Sequence, residues 1–254
     1  MDAILLAGGV PAPESALYPY TKGKNKSILD IGGKPMLQWV IEALDGSSSI
    51  DRVVVVGCEE YQDKFRVSKP VFFIPAGGDL LTNFQKGADA VIKINPEADL
   101  VAIVSADIPL LSPVSVDWVI NKSLESDNDL YYCVIDQKDM EARFPESGRS
   151  YTRLKDINVC GGDLAVVNVS LFTSNNEFWN KISRARKSSF RQAALIGIDI
   201  LLLLVLRRLT FNELVQKVTR RLKIKGQGLI CPYVEIGMDI DKPYQLELAR
   251  RELA

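Results

Sequence analysis

The 254-residue chain contains no histidine. This excludes histidine-based triads, histidine general bases and histidine-rich metal centres, so a metal site must be built mainly from oxygen ligands, which favours Mg²⁺ or Mn²⁺. Cysteine is scarce: Cys58, Cys133, Cys160 and Cys231 form no C-x-x-C pair, which argues against a zinc site and reads as four reduced thiols. Net charge is nearly absent, at −1, so the overall balance selects no partner. Long apolar runs are also missing. The N-terminal run ends at Gly8-Gly9 with no basic segment before it, and residues 193–206 are too short to span a bilayer and contain Asp199. A cytoplasmic location is the expectation. Hydrophobic residues at 47% and charged residues at 25% are ordinary for a globular core.

Residues 3–6 read as a buried strand, followed by an aperiodic loop over 10–27 and a helix over 35–44 with apolar positions Met36, Leu37, Val40, Ile41 and Leu44. Further strands are expected at 52–57, 71–74, 100–104, 130–135 and 164–169, with helices at 79–94 and 112–124, the latter capped by Ser112 with Pro113 in its first turn. Buried strands alternating with helices predict an α/β fold around a mostly parallel sheet. The stretch 136–163 reads as a polar loop or small hairpin. Residues 177–227 form a basic zone with three helical stretches near 177–190, 191–207 and 210–222, read as a helical insertion within a single domain over 1–254. For 191–209 three roles stay open: insertion core, homodimer contact or membrane-surface element. The basic zone shows no nucleic-acid motif and no interleaved aromatics, so no nucleic-acid partner is expected. The chain then returns through a strand at 228–231 and a closing helix at 243–253.

Four segments carry chemistry. Leu6-Ala7-Gly8-Gly9 follows the first strand, and two glycines let backbone N–H groups approach a phosphate or base. Lys26 precedes a short strand that leads into Gly33-Lys34-Pro35-Met36-Leu37 at a helix start; Lys34 reads as part of that start rather than of a site. Asp107, in Ser105-Ala106-Asp107-Ile108-Pro109, stands past a central strand, where open α/β sheets bind ligands. Asp241 lies in Asp239-Ile240-Asp241-Lys242-Pro243; in an extended segment, alternation would put Asp239 and Asp241 on one face.

In these segments the sequence resembles the molybdenum-cofactor guanylyl/cytidylyltransferase-like (MobA-like) NTP transferases, which are similar to methylerythritol-phosphate cytidylyltransferases and CMP-KDO synthetases. The resemblance covers roughly 1–125 and 228–250. It implies a Rossmann-like three-layer fold of GT-A type. It also implies Mg²⁺-dependent transfer of NMP from an NTP, most readily CTP or GTP, to a phosphorylated sugar, polyol or cofactor with release of pyrophosphate. By resemblance, Lys26 holds the triphosphate, with Lys22 and Lys24 able to share the task, and Asp107 and Asp241 hold the metal. Leu6, Ala7, Gly8, Gly9, Gly77, Gly78, Asn83 and Ala106 would bind the nucleotide, and Gly162, Asp163 and Asn168 the acceptor. The first loop departs from the pattern in being long and lacking arginine. Tyr18 and Tyr20 within it could close over the nucleotide or pack the loop, and packing is the favoured reading; Arg143, Arg149, Arg153 and Lys155 could bind an acidic acceptor, with a solvated charged face favoured for most of them. Two other readings stand beside this one: a nucleotide-sugar-dependent glycosyltransferase, disfavoured because Ala106-Asp107-Ile108 is no Asp-x-Asp, and a non-catalytic nucleotide-binding protein.

Overall fold

The computed structural model describes residues 1–65, 67–145, 147–172, 177–185 and 197–254, with the side chains of 183–185 excepted. Ten strands are present among them: β1 Asp2–Leu6, β2 Asp30–Ile31, β3 Lys34–Pro35, β4 Arg52–Val56, β5 Val71–Ile74, β6 Leu100–Ser105, β7 Leu130–Asp136, β8 Thr152–Arg153, β9 Asn158–Asn168 and β10 Gly226–Ile230. The helices are α1 Tyr18–Thr21, α2 Met36–Gly46, α3 Leu80–Ile94, α4 Pro113–Ser123, α5 Gln137–Arg143, α6 Glu177–Ala185, α7 Ile198–Val205, α8 Phe211–Leu222 and α9 Pro243–Glu252.

The main sheet runs β10-β7-β9-β6-β1-β4-β5, with β8 paired to β9. It is mostly parallel, as the alternation of strands and helices predicts: β1 runs parallel to β4 and β6, β4 to β5, and β10 to β7. Only β9 runs against it, antiparallel to β6, to β7 and to its short partner β8. Strand alternation divides the core into two layers. Ala3 and Leu5 of β1 and Val53 and Val55 of β4 pack on one face with Leu37, Val40, Ile41 and Leu44 of α2 and Val116, Val119 and Ile120 of α4. Ile4, Val54 and Val56 point to the other face, against Ala88 and Val91 of α3 and Phe178 and Trp179 of α6.

The cap expected at Ser112 is present, and Asp79 caps the helix it was expected to begin. The Asp79 side chain accepts from Thr82 N at the start of α3, and Ser112 accepts from Ser115 N ahead of Pro113 in α4. The β2–β3 hairpin turns on Gly32 and Gly33, both at positive φ (61° and 83°), which two-residue hairpin turns require.

Three expectations need correction. The stretch 136–163 contains the small hairpin expected as one alternative, β8–β9, but ahead of it stands a helix that was not expected, α5, anchored by fully buried Met140. β9 begins at Asn158, well before 164, and its antiparallel course reverses the positions of its two ends. The 10–27 loop contains α1, because Leu17 inserts among Ile31, Met36, Ile240, Leu246 and Ala249. The helical stretches of 177–227 appear as α6, α7 and α8; residues 186–196, and with them part of 191–209, lie outside the described residues. Among the described residues no helix is long and apolar enough to cross a membrane.

Candidate active site

The carboxyl ends of β1 and β6 lie side by side, since Leu6 pairs with Ser105. The turns that follow them are tied together: Ala7 N bonds Val56 O at 2.9 Å and Ala106 N bonds Leu6 O at 3.1 Å. The end of the long loop is pinned to the same place. Asn25 Nδ2 donates to Ala7 O, and Lys26 N donates to Gly9 O at 2.9 Å. This anchorage delivers the Lys26 side chain to the mouth of the sheet.

The Lys26 ammonium stands between two carboxylates that are 134 positions apart in sequence. Its Nζ lies 2.6 Å from Asp107 Oδ2 and 2.8 Å from Asp241 Oδ1, and donates to Ile240 O at 3.3 Å. Asp107 is steadied from its other side by Ser105 Oγ, which donates to Oδ1 at 2.5 Å, and its backbone O accepts from Ile240 N at 2.9 Å. Burial disfavours the Lys26 charge, but Asp107 and then Asp241 outweigh it and raise the lysine above its usual range.

A cleft of about 310 Å³ opens beside this trio, lined by Leu6, Gly8, Gly9, Val10, Lys26, Ser27, Gly78, Asp79, Leu80, Asn83, Ser105 and Asp107. Asn83 organises its floor. This buried side chain accepts from Gly77 N at 2.6 Å, fixing the Gly77-Gly78 turn. Its Nδ2 reaches under Gly8, where a Cβ would stand only 2.8 Å away. Gly8 therefore serves close approach of the loop to Asn83. Ala7 and Ala106 do not present to the cleft: both side chains are buried and both N–H groups are spent on neighbouring strands. Gly77 contributes through its N–H to Asn83 rather than as part of the lining.

The antiparallel course of β9 decides the acceptor candidates. Leu164 pairs with Val104, so Asp163 lies at the carboxyl end of β6, near Asp107. Burial, and then the charge of Asp107, push its carboxyl up to about 7; Arg149 opposes this and Asp241 adds to it. Asp163 Oδ2 is buried with no hydrogen-bond partner among the described residues. Gly162 faces the core, against Cys133 and Ile236. Asn168 pairs with Leu100 and bonds Asp99 Oδ1 at 2.6 Å, at the opposite end of the sheet. The structure removes it from the site.

Other residues also change roles. Asp239 does not share the Asp241 position; it forms an ion pair with Arg149. Arg149 is thus no solvated charge: it is half-buried, and its Nη2 donates to Gly161 O at 3.1 Å. The sequence offers it only as one of four basic residues in a polar region, because it reaches the site from the connection between α5 and β8. Ser105 was equally hidden, although its place two residues before Asp107 is the signal that could have found it. Lys34 stays outside the site, paired with Glu42 at 2.8 Å and stacked on Trp39. Lys22 and Lys24 are exposed, and Arg143 pairs with Glu252.

Residues 3–193 match the MobA-like NTP transferase domain. The chain belongs to this family. The match ends before Asp241, the partner that the structure supplies to Lys26 and Asp107. A hypothetical transferase from Thermus thermophilus superposes on this chain with a TM-score of 0.81 at 31% identity, covering 96% of this chain and 98% of that one. A probable molybdenum cofactor guanylyltransferase of Thermococcus sibiricus is 29% identical over 50% of this chain and 57% of its own length. A ribitol-5-phosphate cytidylyltransferase of Streptococcus agalactiae is 27% identical over 48% and 51%. The chain thus spans about half the length of the curated relatives it matches.

The donor set suits a hard divalent ion. Two carboxylates face one point, now held by an ammonium, and a third buried carboxylate oxygen close by lacks a partner. Among the described residues no three acidic or thiol groups converge closely enough to enclose a metal unaided. A divalent ion held there would need waters and substrate phosphates beside the two carboxylates, a donor set that Mg²⁺ can use.

Proposed function

We propose that this NTP transferase moves a nucleoside monophosphate from an NTP to a small phosphorylated acceptor. The observation that carries the reading is the Lys26 ammonium bridging Asp107 and Asp241 at the edge of the glycine-lined cleft. The base and ribose lie in the cleft against Gly8, Gly78 and Asn83. Lys26 exchanges its carboxylate partners for the triphosphate and stabilises the charge that builds up on the leaving pyrophosphate. Asp107 and Asp241 would hold a divalent cation, which would supply charge neutralisation along the triphosphate. Ser105 keeps Asp107 oriented throughout. The acceptor phosphate attacks the α-phosphorus in line; already anionic at neutral pH, it requires no general base, consistent with a chain that has no histidine.

The relatives' names support CTP or GTP as donor and a polyol phosphate or a cofactor as acceptor. The whole chain acts as one nucleotidyltransferase unit, working in the cytoplasm, where its four free cysteines stay reduced. The test is a pyrophosphate-release screen of the four NTPs against sugar, polyol and cofactor phosphates with Mg²⁺, alongside NTP-induced thermal shifts. Asp107→Ala should abolish release while retaining an NTP shift. Undiminished release by that variant would sink the reading.

A further inference from the structure

Strand β7 alternates between two environments. Tyr131, Cys133 and Ile135 enter the main core, whereas Val134 packs on the opposite face with Val159, Leu204, Phe211 and Val215. On that face α7 and α8 cover the sheet only in part, leaving a cleft of about 430 Å³. Its walls are mainly apolar, with Leu130, Val134, Leu204, Phe211, Val215 and Val218 prominent. A cleft of this size and apolar lining has the dimensions of a small-molecule site. Bare backbone of β10 contributes to the wall at Gly226 and Gly228; a Cβ on the latter would collide with Phe211.

One wall joins the cleft to the candidate active site. Tyr132 and Gly161 line it, and the Tyr132 hydroxyl packs directly over Gly161. The Gly161 carbonyl accepts from Arg149, and Asp163 follows two residues later. Burial, with the nearby Asp163 charge, raises the Tyr132 phenol, which places the two groups within each other's field. On the helix that contributes Leu204, the side chains of Ile198, Leu202, Val205 and Leu206 are exposed, a local apolar surface beside the cleft.

We propose that the acceptor is an amphiphile, a phosphomonoester of an aliphatic or prenyl alcohol, whose hydrocarbon tail lies between α7–α8 and the β10–β7–β9 face while its phosphate passes Tyr132 to reach Asp107 and Asp241. This rests on the nucleotidyl-transfer reading and names its substrate class. An acceptor phosphate oxygen forms a bond to the α-phosphorus of the NTP. The bond from that phosphorus to the bridging oxygen breaks, and pyrophosphate leaves with the electron pair. The product is a nucleoside diphosphate ester of the alcohol. No further reactant is needed.

The test uses the full chain with Mg²⁺, the four NTPs, and ethyl, hexyl and dodecyl phosphate below their micelle concentrations, with glycerol phosphate as the tailless control. Pyrophosphate release should rise with chain length, by about a hundredfold or more in kcat/KM from ethyl to dodecyl phosphate, carried mainly by KM. Val215→Trp, or Val218→Phe should the first variant fold poorly, fills the cleft and should flatten this dependence, leaving the NTP thermal shift and turnover of ethyl phosphate intact. Equal use of all chain lengths, with glycerol phosphate as good, overturns the tail site and leaves nucleotidyl transfer standing. Absence of release and of any NTP thermal shift overturns the transfer reading. Calorimetric binding of dodecyl against ethyl phosphate then decides the cleft separately: a preference for dodecyl phosphate lost in Val215→Trp supports it, and equal binding refutes it.

Discussion

Replacing Lys26 by methionine keeps most of the side-chain bulk and removes one charge. Asp107, only 14% exposed at its side chain, would keep the Ser105 hydroxyl as its hydrogen-bond donor and face Asp241 without a counter-ion. Removing one partner of a fully buried ion pair costs about 3–5 kcal/mol. Asp241 is 61% exposed, so water screens that half of the bridge, and exposed pairs contribute about 0–1 kcal/mol. A loss of about 2–3 kcal/mol at pH 7 without metal is expected, read by urea denaturation. The same change frees the point between the carboxylates, so Mg²⁺ should stabilise Lys26→Met more than it stabilises the wild type. Turnover should fall by about a hundredfold or more even with Mg²⁺ saturating, since the triphosphate loses its ammonium. The lysine's own contribution has a defined pH window. Its pKa is raised in the folded state, so the stabilisation is complete below the unfolded value of 10.5 and disappears as pH climbs through the folded value. Equal Mg²⁺ stabilisation of variant and wild type would refute the idea that ammonium and cation compete for the same two carboxylates.

Asp163 works in the other direction. Its carboxyl ionises near 3.8 when unfolded and near 7 when folded, so it erodes stability as pH rises between these values, by at most about 4 kcal/mol. Asp163→Asn should flatten that part of the stability profile and make the metal-free protein more stable at pH 8, checked by denaturation across pH. Gly87→Ala should destabilise by about 1–3 kcal/mol, because the added methyl collides with Ile4 where α3 crosses β1; its thermal midpoint reports this. Gly8→Ala should raise KM for the NTP and lower the melting temperature, since the methyl presses on buried Asn83 at the cleft floor; steady-state kinetics and melting report the two effects. Asn168→Ala should leave turnover unchanged and cost about 1 kcal/mol through the lost bond to Asp99, measured by steady-state kinetics and melting together.

Local sequence was enough for most of the architecture. Strands such as Arg52–Val56 and Leu100–Ser105 are short, mainly aliphatic runs that suit a sheet buried on both faces, and α2, α3 and α4 carry helical periodicity, α4 with a readable cap. Lys26, Asp107 and Asp241 were identifiable because each sits in a short motif at an element boundary. Helix α5 was harder to see: its polar residues surround one buried position, Met140, too little for a periodic signal.

What the sequence determined by itself was therefore local: which segments become strands or helices, and which short motifs carry charge beside glycine. Tertiary structure alone decided the pairings. Asp239 and Asp241 look equivalent in an extended segment, yet one meets Arg149 and the other Lys26, because the partners arrive from different parts of the chain. Asp163 and Asn168 lie on one strand, and the reversed direction of β9 carries the first to the site and the second to the far end of the sheet. Side-chain alternation and helical period act over a few residues, whereas strand direction and ion pairing depend on contacts across the whole fold.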